Sequence, residues 1–151
     1  MTYNMIKYFI RFFIYLVLLT MLAGILAGLL PNVVGELLTA FPYLLAMIWV
    51  LFFFLKKEQR APTVQERNRF SLLLVVIFFL YNYIFAVFGP LLFNLNVPNV
   101  IELWRQQALN PDFQFLLLSK LLLFMIPFYI ITFWFYGPQA KRMANKMFSE
   151  N

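Results

Sequence analysis

Four long stretches of this chain are apolar almost without interruption, at residues 12–30, 37–55, 70–93 and 113–136. A hydrocarbon core about 30 Å thick takes roughly 20 apolar residues in helical form to cross, so each stretch predicts a transmembrane helix. Their ends carry the punctuation of helices. The first follows Lys7 and Arg11 and meets Pro31, which favours a helix end there. The second stops at Lys56 and Lys57. Ahead of the third, Thr63-Val64-Gln65-Glu66 has the spacing of a capping box, in which hydroxyl and carboxylate each satisfy a free amide of the other residue. That helix is expected to reach Gly89-Pro90, a breaker pair. The fourth starts after Asn110-Pro111-Asp112, where Asn can cap, Pro suits the first helical position and Asp suits the positive end of the helix dipole.

Between the third and fourth stretches, Val97, Val100, Ile101, Trp104 and Ala108 recur at helical spacing, and Asn99 with Glu102 offers a weaker capping box. The pattern predicts a short amphipathic helix. It either lies on the membrane surface with Trp104 at headgroup depth or packs as a lid on the spans, and the spacing does not separate the two. The first and third stretches share neither glycine spacing nor polar positions, so an inverted repeat is not supported.

Composition turns the pattern into a class. Of 151 residues 64% are hydrophobic and 12% charged, where a soluble domain has roughly 45–50% and about 25%, so the apolar excess has to face lipid. The expected fold is all-α, an integral membrane protein forming one four-helix domain over residues 1–151. Charge supplies a direction. Residues 1–11 hold two Lys or Arg, 56–69 hold five and 137–151 hold three, whereas 31–36 hold none and 94–112 only Arg105. Ten of twelve basic groups therefore fall on one side, and the positive-inside rule puts both termini and the 56–69 loop in the cytoplasm, with the amphipathic helix in the outer loop. The net charge of +6 is spread over short flanking segments, which argues against nucleic acid as a partner. The first apolar run, 19 residues, exceeds the roughly 7–15 of a signal peptide's core, so it is expected to stay as a span.

The chain has no Cys and no His, which removes thiol chemistry, the commonest metal ligand and the usual general base near neutral pH. No paired carboxylate lies within a span, so neither an enzyme nor a bound cofactor or metal is expected. Small four-helix multidrug exporters need a membrane carboxylate in the first span, and residues 12–30 contain none. A small transporter or channel for ions or amphipathic compounds, with Asn82 and Lys120 as its polar groups, is the alternative function.

A few residues inside the spans stand out. Thr20, Gly24 and Gly28 recur every four residues, a groove where a helix can approach closely in lipid; a second span of the same chain is the first expected partner and a neighbouring subunit the second. Lys120 is the single charge within a span, roughly 10 Å below the outer interface at 1.5 Å per residue. It either snorkels to the headgroups without further role, or meets a lipid phosphate or Glu36 at the outer end of the second span. Asn82 should hydrogen-bond another helix. Pro42 and Pro127 should each remove one intrahelical bond, and Trp104 and Trp134 read as interface anchors, with Trp49 a less clear third.

Along all four spans the chain resembles the Acinetobacter trimeric envelope protein (AciT) family of small inner-membrane proteins, including Phe41-Pro42-Tyr43-Leu44 in the second span and Arg60-Ala61-Pro62 with Glu66-Arg67 in the cytoplasmic loop. The resemblance implies a homotrimer in the bacterial inner (cytoplasmic) membrane, non-catalytic, supporting envelope homeostasis through contact with membrane phospholipids. It carries no residue set of catalysis or binding.

Overall fold

Helix formation follows the apolar stretches, with two informative departures at their ends. The computed structural model describes residues 3–29, 38 and 40–148, and among them every regular element is helical. Helix α1 is Tyr3–Leu29, α2 Phe41–Glu58, α3 Val64–Phe93, α4 Val100–Ala108 and α5 Pro111–Trp134. A π-helical turn, Phe135–Gln139, leads α5 directly into α6, Ala140–Phe148. Three helical stretches are long and apolar enough to cross a membrane: Met5–Leu29, Val64–Phe93 and Pro111–Phe148. Helix α2 is shorter, at 18 residues, and its last three are Lys56, Lys57 and Glu58. The predicted turn at residues 31–36, the helix end at Pro31 and the start of the second stretch at 37 lie outside the described residues.

The first departure is at α1, which begins at Tyr3, well ahead of the apolar run. Lys and Arg are good helix formers, and Arg11 lies 3.5 Å over the Phe53 ring, so the basic flank continues the helix. Helix α3 ends at Phe93, where the stretch 70–93 ends, and carries Gly89-Pro90 inside it. Its end is closed by Asn94, whose side-chain amide donates to the Pro90 carbonyl at 2.7 Å. The second departure is in the fourth stretch, which does not end at residue 136. A proline at 138 in an α-helix would press its ring on the carbonyl of Trp134. The π-turn adds a residue to the winding there, and the Ala140 amide bonds the carbonyls of Gly137 and Phe135, so the helix survives. Pro42 corrects another expectation: with α2 starting at Phe41 it sits in the first turn, where its missing N–H breaks no helical bond.

The chain forms two compact units, Met1–Leu74 with Ile130–Asn151, and Val75–Tyr129. In the first, α1 and α2 run antiparallel: Tyr8 meets Phe54 at 5.3 Å and Tyr15 meets Trp49 edge-on at 5.5 Å. Phe70 closes this core, 5.7 Å from Phe54 and 4.8 Å from Tyr136 between ring centres. Two polar links are buried here. Tyr43 Oη lies 2.6 Å from Thr132 Oγ1, and Tyr136 Oη donates to the Met47 carbonyl at 2.9 Å. Because the partners advance together by four residues, 43 to 47 and 132 to 136, α2 runs parallel to the C-terminal helix.

In the second unit, Phe78 packs edge-on against Phe128 at 5.0 Å, and Tyr83 Oη donates to Gln114 Oε1 at 2.9 Å. The α4 helix buries none of its residues fully but is fastened at two points. Trp104 Nε1 donates to the Val87 carbonyl at 2.8 Å with its ring on Phe88, and Gln114 Nε2 donates to the Ala108 carbonyl at 2.8 Å. Asn110 caps α5 as its position predicts, accepting from the amides of Asp112 and Phe113 at 2.9 and 3.3 Å.

Candidate functional site

The charged end of the first unit holds a cavity of about 540 Å³. Its walls come from the start of α1, the end of α2, and the loop and first turn that open α3. Local chemistry sets each wall. Helix α2 stops because Gln59 adopts a left-handed backbone (φ 50°) and returns its amide to the Leu55 carbonyl at 2.9 Å. Pro62 then separates the helices, and Thr63 with Glu66 forms the predicted capping box: the Thr63 amide reaches Glu66 Oε2 at 2.8 Å and the Glu66 amide reaches Thr63 Oγ1 at 3.3 Å.

Arg60 locks this turn. Its two terminal nitrogens each donate to one oxygen of Glu66 at 2.8 Å, a bidentate pair, while the guanidinium lies 5.4 Å from the centre of the Phe54 ring. Within the helix Val64–Phe93 the uncharged apolar run begins at Phe70, so these groups stand on its charged flank. The Arg60 bonds hold the Glu66 carboxyl down to about 2, against the opposing effect of burial and with help from the Thr63 amide, and Glu66 in turn raises Arg60. On the facing wall Tyr8 Oη donates to Glu58 Oε1 at 2.8 Å. Arg69 completes the lining; its only polar neighbour among the described residues is the Met5 sulfur at 4.0 Å. The cavity thus carries one neutralised pair, one further carboxylate and one further guanidinium, with Met5, Phe54 and Val64 as apolar wall.

Beside it, Arg67 is wedged 4.0 Å over the Phe133 ring and against Gly137. A Cβ at 137 would come 2.9 Å from Arg67 Nη1 and 3.0 Å from its Cδ, so the glycine makes room for the guanidinium. Arg67 Nε is buried without a hydrogen-bond partner among the described residues.

The residues singled out from the sequence lie elsewhere. Thr20 bonds back to the Leu16 carbonyl at 2.7 Å, and Gly24 and Gly28 are exposed, with no described atom within 4 Å of a Cβ placed on either. A partner for this groove within the chain is therefore not seen among the described residues. Among the described residues Asn82 bonds within its own helix: its amide donates to the Phe78 carbonyl at 2.8 Å, one turn back, a local bond that short polar side chains favour. Lys120 is exposed and makes no hydrogen bond or ion pair among the described residues, while Glu36, its expected partner, lies outside them. Asn99 has a left-handed backbone (φ 58°) and no capping bond, so its expected box with Glu102 does not form. Trp104 is docked on α3 rather than free, and Trp134 is half exposed, 6.1 Å from Phe135. Among the described residues no group of three acidic side chains is placed to hold a metal ion.

The cavity residues were not singled out from the sequence, because Tyr8, Glu58 and Arg69 come from three separate segments and only Thr63-Glu66 has a local signature. Arg60 appeared solely within the motif of the family resemblance.

Fold and composition together define a helical membrane protein, with three helices long and apolar enough to span a bilayer. No protein-family model, no curated protein and no solved structure matches the chain.

Proposed function

We propose that this is a non-catalytic, four-span protein of a bacterial inner membrane, with both termini in the cytoplasm, that assembles with copies of itself and holds phospholipid in support of the cell envelope. The number three for the assembly, and the envelope role, rest on the resemblance to the Acinetobacter trimeric envelope protein family. The observation that carries the reading is the outer face of α1. Met21, Ile25 and Leu29 are 64%, 66% and 78% exposed on the same helix as the open Gly24 and Gly28, an apolar surface that only lipid or another helix can cover.

Direction supports the fourth crossing. Helices α1 and α3 both start at basic segments, so the chain has to recross between them, and α2 is the one described helix that lies between. At 1.5 Å per residue its 15 residues ahead of Lys56 reach about 22 Å, and the whole expected stretch 37–55 about 28 Å, close to the hydrocarbon thickness. Its antiparallel packing on α1 and parallel packing on the C-terminal helix fit an up-down-up-down order.

Native mass spectrometry of protein released gently from membranes tests the reading, since it reports subunit number and retained lipid together. A trimer carrying phospholipid is expected. A lipid-free dimer would instead favour the small exporter.

A further inference from the structure

The cavity between the starts of α1 and α3 holds charges that do not cancel locally. Arg60 and Glu66 neutralise each other through two bonds of 2.8 Å. Glu58 makes no ion pair within 4.0 Å among the described residues; its one hydrogen bond comes from Tyr8, and it acts on Arg60 only through space. Arg69 has no carboxylate within that distance either. Both line the same cavity, so a free negative and a free positive group face one space whose total formal charge is zero. A simple anion would leave Glu58 opposed, and a simple cation would leave Arg69 opposed. A ligand with zero net charge and separated poles satisfies both.

Depth selects the source. The cavity sits where the helices change from charged to apolar: Arg69 is followed directly by the buried Phe70, and Leu72, 56% exposed, continues as apolar surface. A headgroup in the cavity would leave its acyl chains on that surface. The volume, about 540 Å³, lies within the range of ordinary small-molecule sites.

We propose that this cavity binds the headgroup of a zwitterionic phospholipid bearing a primary ammonium, with Arg69 on the phosphate and Glu58, oriented by Tyr8, on the ammonium. Glu58 is the selective element. An ammonium with N–H donors can hydrogen-bond its carboxylate, a trimethylammonium cannot, and a glycerol headgroup leaves the carboxylate beside a net negative ligand. The proposal rests on the reading of the chain as a lipid-holding membrane protein.

The test uses the full chain in mixed micelles with equimolar phosphatidylethanolamine, phosphatidylcholine and phosphatidylglycerol, read by native mass spectrometry, for the wild type, Glu58→Gln and Arg69→Gln. The wild type should retain phosphatidylethanolamine over either competitor by about tenfold, the effect of roughly one charge-assisted hydrogen bond. Glu58→Gln should remove the preference while lipid is still bound, and Arg69→Gln should lower retention of all three. A preference unchanged in Glu58→Gln, with lipid bound, overturns the site but leaves the lipid-holding reading intact. Absence of any retained lipid in the wild type overturns both. Displacement by equimolar soluble glycerophosphoethanolamine, the same phosphodiester and ammonium without acyl chains, would assign the cavity to a free zwitterion and overturn the lipid. Arg69 is exposed and Gln can still accept from Tyr8, so both variants should keep the wild-type circular dichroism; if Glu58→Gln does not, Arg69→Gln decides alone, and undiminished retention in it overturns the site.

Discussion

Glu66 shows how much a single side chain can organise at a helix start. It accepts two bonds from Arg60 and one from the Thr63 amide, and its carboxyl is held down from an ordinary 4.5 to about 2. A carboxyl lowered in the folded state stabilises above its unfolded value, and that contribution is lost as pH falls through the folded one. The melting difference between the wild type and Glu66→Gln should therefore hold constant from pH 7 to about 5 and close as pH falls toward about 2. Its size should be about 1 kcal/mol, because Arg60 is 44% exposed and solvent screens the pair. A difference that persists undiminished at pH 2 would place its origin outside the ion pair. This turn was legible because a capping box is a matter of three-residue spacing. Asn82 was not, since one turn of its own helix and a neighbouring helix compete for the same amide, and spacing is silent on which is nearer.

Among elements, α4 was predicted in its extent but left between two placements. What ties it to α3 is one directional bond, Trp104 Nε1 to the Val87 carbonyl, which a hydrophobic pattern does not encode. Trp104→Phe retains the ring on Phe88 and deletes the donor. Amide exchange in residues 100–108 should then speed up by about five- to tenfold, for a bond worth about 1 kcal/mol, with the exchange of α3 and α5 unaltered. Unchanged protection of α4 would mean that Gln114, which ties the Ala108 carbonyl, suffices. The π-turn was illegible for a related reason. Gly137-Pro138 reads as a stop, and only the packing of Arg67 into the space at Gly137 and the buried Tyr136 bond give the helix cause to continue.

For the molecule as a whole, the helical class and the three longest spanning helices were plain in the apolar runs, whereas the cavity, drawn from three segments, was not. The groove on α1 makes a prediction at this scale. With both glycines open, Gly24→Leu combined with Gly28→Leu should leave the helix content and melting of the chain unchanged and reduce the mass of the native assembly. Wild-type mass would move the self-contact to another face. The paired links from Tyr43 to Thr132 and from Tyr136 to Met47 bear on mechanics. Two fastenings one turn apart behave as a double rivet: sliding one helix past the other by a turn, about 5.4 Å, would break both at once in apolar surroundings. The two links therefore fix the register of α2 against the C-terminal helix, and neither can ratchet along the other without breaking both.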